Sequence, residues 1–165
     1  MIKEILLCKY GEVVLKGANR AYFEDMLKIA REAGAEYLIL GQHCIYNEHP
    51  NGAFCFVDDD NVDHLKEFVS CIVTAIKSGV FTYVAHPDMF SFKGDDAIYR
   101  EEMQKICIAS KEYDVPLEIN LLGIRDNRHY PYEPFWKMAG EIGCPVTFGC
   151  DAHSPKKAYD GESLS

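Results

Sequence analysis

No two of the seven cysteines, at positions 8, 44, 55, 71, 107, 144 and 150, form a C-x-x-C pair. An odd set without close pairs suits neither a disulfide framework nor a zinc knuckle, so small buried thiols in a reducing compartment are expected. Long apolar runs are also missing: none approaches the length that crosses a bilayer, and no charged-then-apolar leader pattern opens the chain. The expectation is a cytoplasmic protein with no membrane partner. Proline is scarce, with 7 among 165 residues, and no low-complexity stretch occurs, which argues against linkers and disordered tails.

Positive charge is in short supply too. Lys and Arg number 17 against 26 Asp and Glu, a formal charge of -9, and such a surface repels a phosphate backbone. Nucleic acid is therefore not an expected partner. The deficit is uneven, because residues 1 to 31 carry six Lys or Arg against four Asp or Glu.

What is present is apolar content of 48% in 165 residues, enough for one core and one domain. Short apolar, β-branched runs alternate with amphipathic stretches, the pattern of a parallel α/β fold. Strands are expected at 36–40, 80–85, 116–120 and 145–149. A helix over 62–78 places Val62, Leu65, Phe68, Val69, Ile72 and Ile76 on one stripe, with Asp60 or Asn61 as its cap. Further helices are expected over 96–113 and over 133–142, the second ended by Gly143. Residues 4–17 read as two strands around Gly11, and Ala21 to Ala33 as a helix stopped by Gly34.

In parallel α/β folds, ligands gather at the carboxyl ends of strands. His43, His86 and the Asp151-x-His153 pair each follow such a strand, so they are expected on one rim. Neutral imidazole and carboxylate together suit Zn, Mn or Fe, and divalent ions there would activate water against a phosphoryl group. A lone histidine after a strand is more often a hydrogen-bonded loop residue than a ligand. In His86-Pro87-Asp88 and in Asp151-Ala152-His153-Ser154-Pro155, however, a carboxylate and a turn-fixing proline stand beside it. Asp88 is either a ligand support or a cap; His49 and His64 are expected in solvent, and His129 is left open. Arg125 and Arg128, in a loop after strand 116–120, either clamp a phosphate or pair with Asp126.

The motifs LGQH (40–43), AHPD (85–88), PLEINLLGIR (116–125) and GCDAHSP (149–155) occur in one order. By them, residues 29 to 159 resemble the PHP (polymerase and histidinol phosphatase) superfamily, and bacterial histidinol-phosphatases in particular. The resemblance implies a distorted (β/α) barrel with parallel strands, and hydrolysis of a small phosphorylated metabolite such as histidinol phosphate with divalent metal ions. It also implies His43, His86, Asp151 and His153 as metal ligands, Asp151 or His153 as the acid for the leaving group, and Arg125 and Arg128 as phosphate-binding residues. The family's opening H-x-H motif and bridging Glu are absent. Residues 1–27 instead resemble the start of the tRNA 4-thiouridine sulfurtransferase.

The expected organisation is thus a head segment over 1–27, a partial phosphoesterase domain over 28–159 forming an incomplete barrel of about four to five strands, and a frayed tail over 160–165. An exposed sheet edge invites self-association. With so few ligands, turnover is expected to be lost or very low. A non-catalytic metal-binding remnant and a PHP-type nuclease stand as alternatives, the net charge disfavouring the nuclease.

Overall fold

Asn61 begins the first long helix. Its side chain accepts the Asp63 N–H at 2.9 Å, which satisfies one of the amides that a helix start leaves without a partner. The structure is a computed structural model that describes residues 28, 30, 32, 34–35, 37–45 and 54–152. The expected head strands, most of the helix before Gly34 and the tail lie outside the described residues. Lys28, Ala30 and Glu32 are helical, and Gly34 takes a left-handed φ of 72°, as a helix end there requires.

The elements run in the order β1 (Ile39–Gly41), α1 (Val62–Lys77), β2 (Tyr83–Ala85), α2 (Asp96–Tyr113), β3 (Leu117–Asn120), α3 (Leu121–Arg125), α4 (Glu133–Ile142) and β4 (Val146–Gly149). The four strands form one parallel sheet in sequence order, with Ile39 opposite Tyr83, Val84 opposite Leu117, and Leu117 opposite Val146. Each strand is shorter than expected. β1 and β2 keep three residues apiece, although the Thr82 N–H still reaches the Leu38 carbonyl at 2.8 Å beyond the regular ladder.

The helices sit where their apolar stripes direct. Leu65, Phe68, Val69, Ile72 and Ile76 of α1 are buried, with Val62 at the helix start only half-buried, and Met103, Ile106 and Cys107 of α2 and Phe135 and Met138 of α4 are buried too. They share one core with Leu40, Val84 and Leu117 of the sheet, and Phe68 packs on Phe90 with ring centroids 5.3 Å apart. α1 lies against α2 and α2 against α4. Gly143 ends α4 with a φ of 79° and an N–H bond back to Ala139. No helix among the described residues is long and apolar enough to cross a membrane.

The segment after β3 differs from expectation. Instead of entering a loop directly, the chain makes α3, because the Asn120 side chain accepts the Gly123 N–H at 3.0 Å and caps a helical turn. Arg125 therefore sits on a helix end and Arg128 in the loop beyond it. Among the described residues β1 and β4 are the two edges of the sheet. On β4, Val146 and Phe148 each leave more than half of their surface exposed.

Gly123 and Gly140 make opposite demands. A Cβ on Gly123 would collide with the Tyr130 backbone carbonyl, whereas one on Gly140 would meet nothing within 4 Å. Gly123→Ala should destabilise the chain by roughly 1–3 kcal/mol through overpacking. Gly140→Ala should be neutral or stabilise α4 by up to ~1 kcal/mol. Urea unfolding of both variants checks the pair, and equal midpoints would contradict the packing described.

Candidate active site

β3 carries two polar side chains at alternate positions. Glu118 and Asn120 share one face of the strand, opposite to the face from which Leu117 joins the core. Both are buried. The Glu118 carboxylate accepts the His86 backbone N–H at 3.0 Å and the Asn120 amide at 3.0 Å through the same oxygen. Its other oxygen occupies the space that a side chain at Gly149 would need, so glycine there is what lets β4 approach. Burial raises the Glu118 pKa above the ordinary carboxylate range, while its two donors pull the other way.

His86 follows β2 directly and is only 2% exposed. Its φ of 34° is left-handed, unusual for a residue with a side chain and more so before a proline. Asp151, two residues beyond β4, also adopts a left-handed φ, of 44°. Backbone strain of this kind persists where surrounding contacts over-determine it and is concentrated at functional sites. The Glu118 bond to the His86 N–H is one such contact.

The His86 ring meets His43 edge-on at 4.8 Å between centroids, with Tyr130 at 6.1 Å. Its Nδ1 is buried and has no hydrogen-bond partner among the described residues. Burial, and then the neighbouring His43, pull the His86 pKa down to about 3, so the imidazole is neutral at physiological pH. A neutral, buried imidazole nitrogen without a partner is the form in which histidine binds a metal ion. Asp151 joins the group through Asn120, whose amide lies 3.5 Å from its carboxylate.

The structure thus brings His43, His86, Glu118 and Asp151 to the carboxyl end of the sheet, while His153 lies outside the described residues. Among the described residues no three His, Cys, Asp or Glu side chains converge closely enough to hold one ion. The donor chemistry fits a metal at the His43 and His86 pair. Glu118 and Asn120 were not among the expected ligands, and the signal that marks them is the alternation of Glu and Asn within the apolar strand PLEIN.

Both arginines are near Asp126: Arg125 Nε is 3.6 Å and Arg128 Nη2 3.3 Å from its carboxylate. Arg128 also donates to the Tyr130 hydroxyl at 2.8 Å, and its charge is felt at His86. The pairing with Asp126 is therefore real, and it leaves Arg128 beside the ring that lines His86. His129 is tied to the backbone, with Nε2 donating to the Met89 carbonyl at 2.6 Å. His64, expected in solvent, instead pairs through Nδ1 with Asp59 at 2.6 Å, because the loop before α1 folds back on the helix start. Asp88 is 1% exposed and accepts the Tyr132 N–H at 2.6 Å and the Trp136 indole N–H at 2.8 Å. His49 lies outside the described residues.

No family model matches the chain. Proteins named "Probable phosphatase" from Thermoanaerobacter sp. and Thermoanaerobacter pseudethanolicus are each 28% identical to it over 102 residues, 60% of this chain and 38% of theirs. The chain thus spans well under half the length of these curated relatives. A crystal structure of histidinol phosphate phosphatase from Lactococcus lactis, complexed with Zn, L-histidinol and phosphate, superposes with a TM-score of 0.62. It is 16% identical, and the match covers 90% of this chain and 60% of that one. None of these relatives is a sulfurtransferase. The four-stranded parallel sheet is an incomplete barrel of the kind seen in that phosphatase.

The depressed His86 pKa has a defined sign. The unfolded chain takes up this proton near pH 6.5 and the folded chain only near pH 3, so the stability that His86 contributes is present above 6.5 and lost on acidification. Asp88, raised by burial to about 6, acts in the opposite sense, its contribution fading as pH rises through 6. In His86→Asn only the first effect disappears. Between pH 7 and pH 4.5 the metal-free parent should lose more melting temperature than the variant, by at least about 2 °C; parallel curves in scanning calorimetry would refute this.

Proposed function

We propose that the chain is the site-bearing part of a metal-dependent phosphatase of the PHP type, acting on a small phosphate monoester such as histidinol phosphate. The observation that carries the reading is the buried Nδ1 of neutral His86, without a hydrogen-bond partner among the described residues, against the His43 ring. Asp151, brought in through Asn120, and His153 complete the proposed set for Zn, Mn or Fe. Bound there, a divalent ion would lower the pKa of water and offset the charge that grows on the phosphoryl oxygens.

The chain's own residues would do the remainder. Arg128, placed by Tyr130, and Arg125 would grip phosphate oxygens with planar guanidinium groups, and that requires loosening their hold on Asp126. Asp151 or His153 would carry the proton to the leaving alkoxide. Glu118 would instead hold the strand ends, one of its oxygens accepting both the His86 N–H and the Asn120 amide. The relatives' names and the Zn, histidinol and phosphate held by the structural neighbour support this substrate class. A location in the cytoplasm and a role in histidine biosynthesis belong to the same proposal, and the bare face of Val146 and Phe148 supports self-association at the β4 edge.

The test joins metal content to turnover. The purified chain should take up Zn or Mn and release phosphate from histidinol phosphate only at a very low rate, because so few ligands are present. His43→Ala and His86→Ala should each weaken metal uptake at least about tenfold and abolish the release. Metal uptake without turnover in the parent would favour the non-catalytic remnant. Uptake unaffected by either substitution would overturn the site.

A further inference from the structure

The turn that carries His86 and the segment that carries Arg128 are distant in sequence, and three hydrogen bonds, spanning 40, 44 and 48 residues, stitch the turn to that segment and the start of α4. One Asp88 oxygen accepts both the Tyr132 backbone N–H and the Trp136 indole N–H, and the Met89 carbonyl accepts from His129 Nε2. On the near side of this seam the Met89 N–H closes the turn on the His86 carbonyl at 3.0 Å. On the far side Tyr130 stands between the His86 and His129 rings, at 6.1 and 5.2 Å, and its hydroxyl holds Arg128. Nothing in regular secondary structure joins the two segments, because β2 and α4 are separated by β3 and α2.

Tyr132 is the residue before α4 and makes no side-chain cap of its own. The Asp88 carboxylate therefore does more than complete a helix start: it fixes where the 126–132 segment leaves α4, relative to the turn that bears His86. We propose that Asp88 is a positioning residue, a latch that sets the distance between the Arg128 guanidinium and the His43–His86 pair so that both act on one phosphate group. The role of the grip rests on the phosphatase reading above; the latch itself rests on the three bonds.

A purely structural role would lower stability without discriminating between ligand-binding properties. The latch makes a narrower claim. Asp88→Ala removes the acceptor for both N–H groups, whereas Asp88→Asn retains an amide oxygen able to accept them. Trp136 is the sole tryptophan, so its emission reports directly on the bond it donates.

The experiment uses the full chain and inorganic phosphate as the probe. Without metal or phosphate, Asp88→Ala should shift Trp136 emission and speed amide hydrogen exchange across 126–132 by about tenfold, the loss expected from one buried hydrogen-bonded contact, with α1 exchange unchanged. With Mn bound, the same variant should weaken phosphate binding about tenfold while Mn uptake stays as in the parent. Asp88→Asn should restore both properties to within about threefold. If Asp88→Ala does not fold, Trp136→Phe removes one donor and keeps a smaller aromatic ring. It should speed the same amides and weaken phosphate in the same direction.

Unchanged exchange across 126–132 in every variant overturns the latch, whatever phosphate does. Faster exchange with parental phosphate affinity overturns its role in setting the grip. A parent chain that binds metal but no phosphate, with exchange faster in Asp88→Ala, sinks the phosphatase reading and leaves the latch standing.

Discussion

A single buried carboxylate organises the carboxyl end of the sheet. Glu118 is 3% exposed, and placing a charge there is unfavourable unless donors surround it. The His86 N–H and the Asn120 amide are those donors, and together they tie β2 to β3 at the point where both strands end. Gly149 yields its side-chain space to the same group, which admits β4. The left-handed turn at His86, the capping of α3 by Asn120 and the placement of Asp151 all follow from where this carboxylate lies.

Around it the polar groups form two layers. Glu118 and Asn120 hold the strand ends, while Asp88 and His129 hold the loops above them against each other. A hydrogen-bond network in a low-dielectric interior rigidifies what it joins only when its members are satisfied. The exception here is instructive. His86 Nδ1, in the middle of both layers, is the buried nitrogen they leave without a partner among the described residues.

Much of the architecture was legible in the sequence, because helices announce themselves through local periodicity. The stripe of Leu65, Phe68, Ile72 and Ile76, the cap at Asn61 and the stop at Gly143 all appear where their spacing and chemistry place them. Parallel pairing also followed from the alternation of elements, and His43 and His86 do meet. Strand lengths did not, since the extent of a ladder depends on the partner strand, and β2 offers only three residues to either neighbour. The loop expected around Arg125 became a helix through a local device that the strand-like run PLEIN conceals: Asn120 is held by Glu118 with its amide oxygen turned toward Gly123. The pairing of His64 with Asp59 spans only five residues and turns on how the loop before α1 folds back, whereas Tyr99 and Glu102 of α2 were not expected inside and are buried. The burial of Tyr99 depends on a tertiary contact, with the Tyr132 ring, that no window of neighbouring residues contains. The ligand roles of Asp151 and His153 and the phosphate roles of Arg125 and Arg128 stand as proposals; His153, the head and the tail are outside the described residues.

The left-handed backbone at His86 and Asp151 sets these two positions against the ordinary direction of neutral mutation. Glycine or asparagine would relieve the conformation at either place, so substitution there is favoured by folding and opposed only by whatever the side chain does. In a lineage that had no further use for the chemistry, these would be among the first positions to drift, while Leu65 and Phe68 would persist as long as the chain had to fold. The identity of residues 86 and 151 across a set of descendants would thus serve as a gauge of how long the activity was retained, read separately from the survival of the fold.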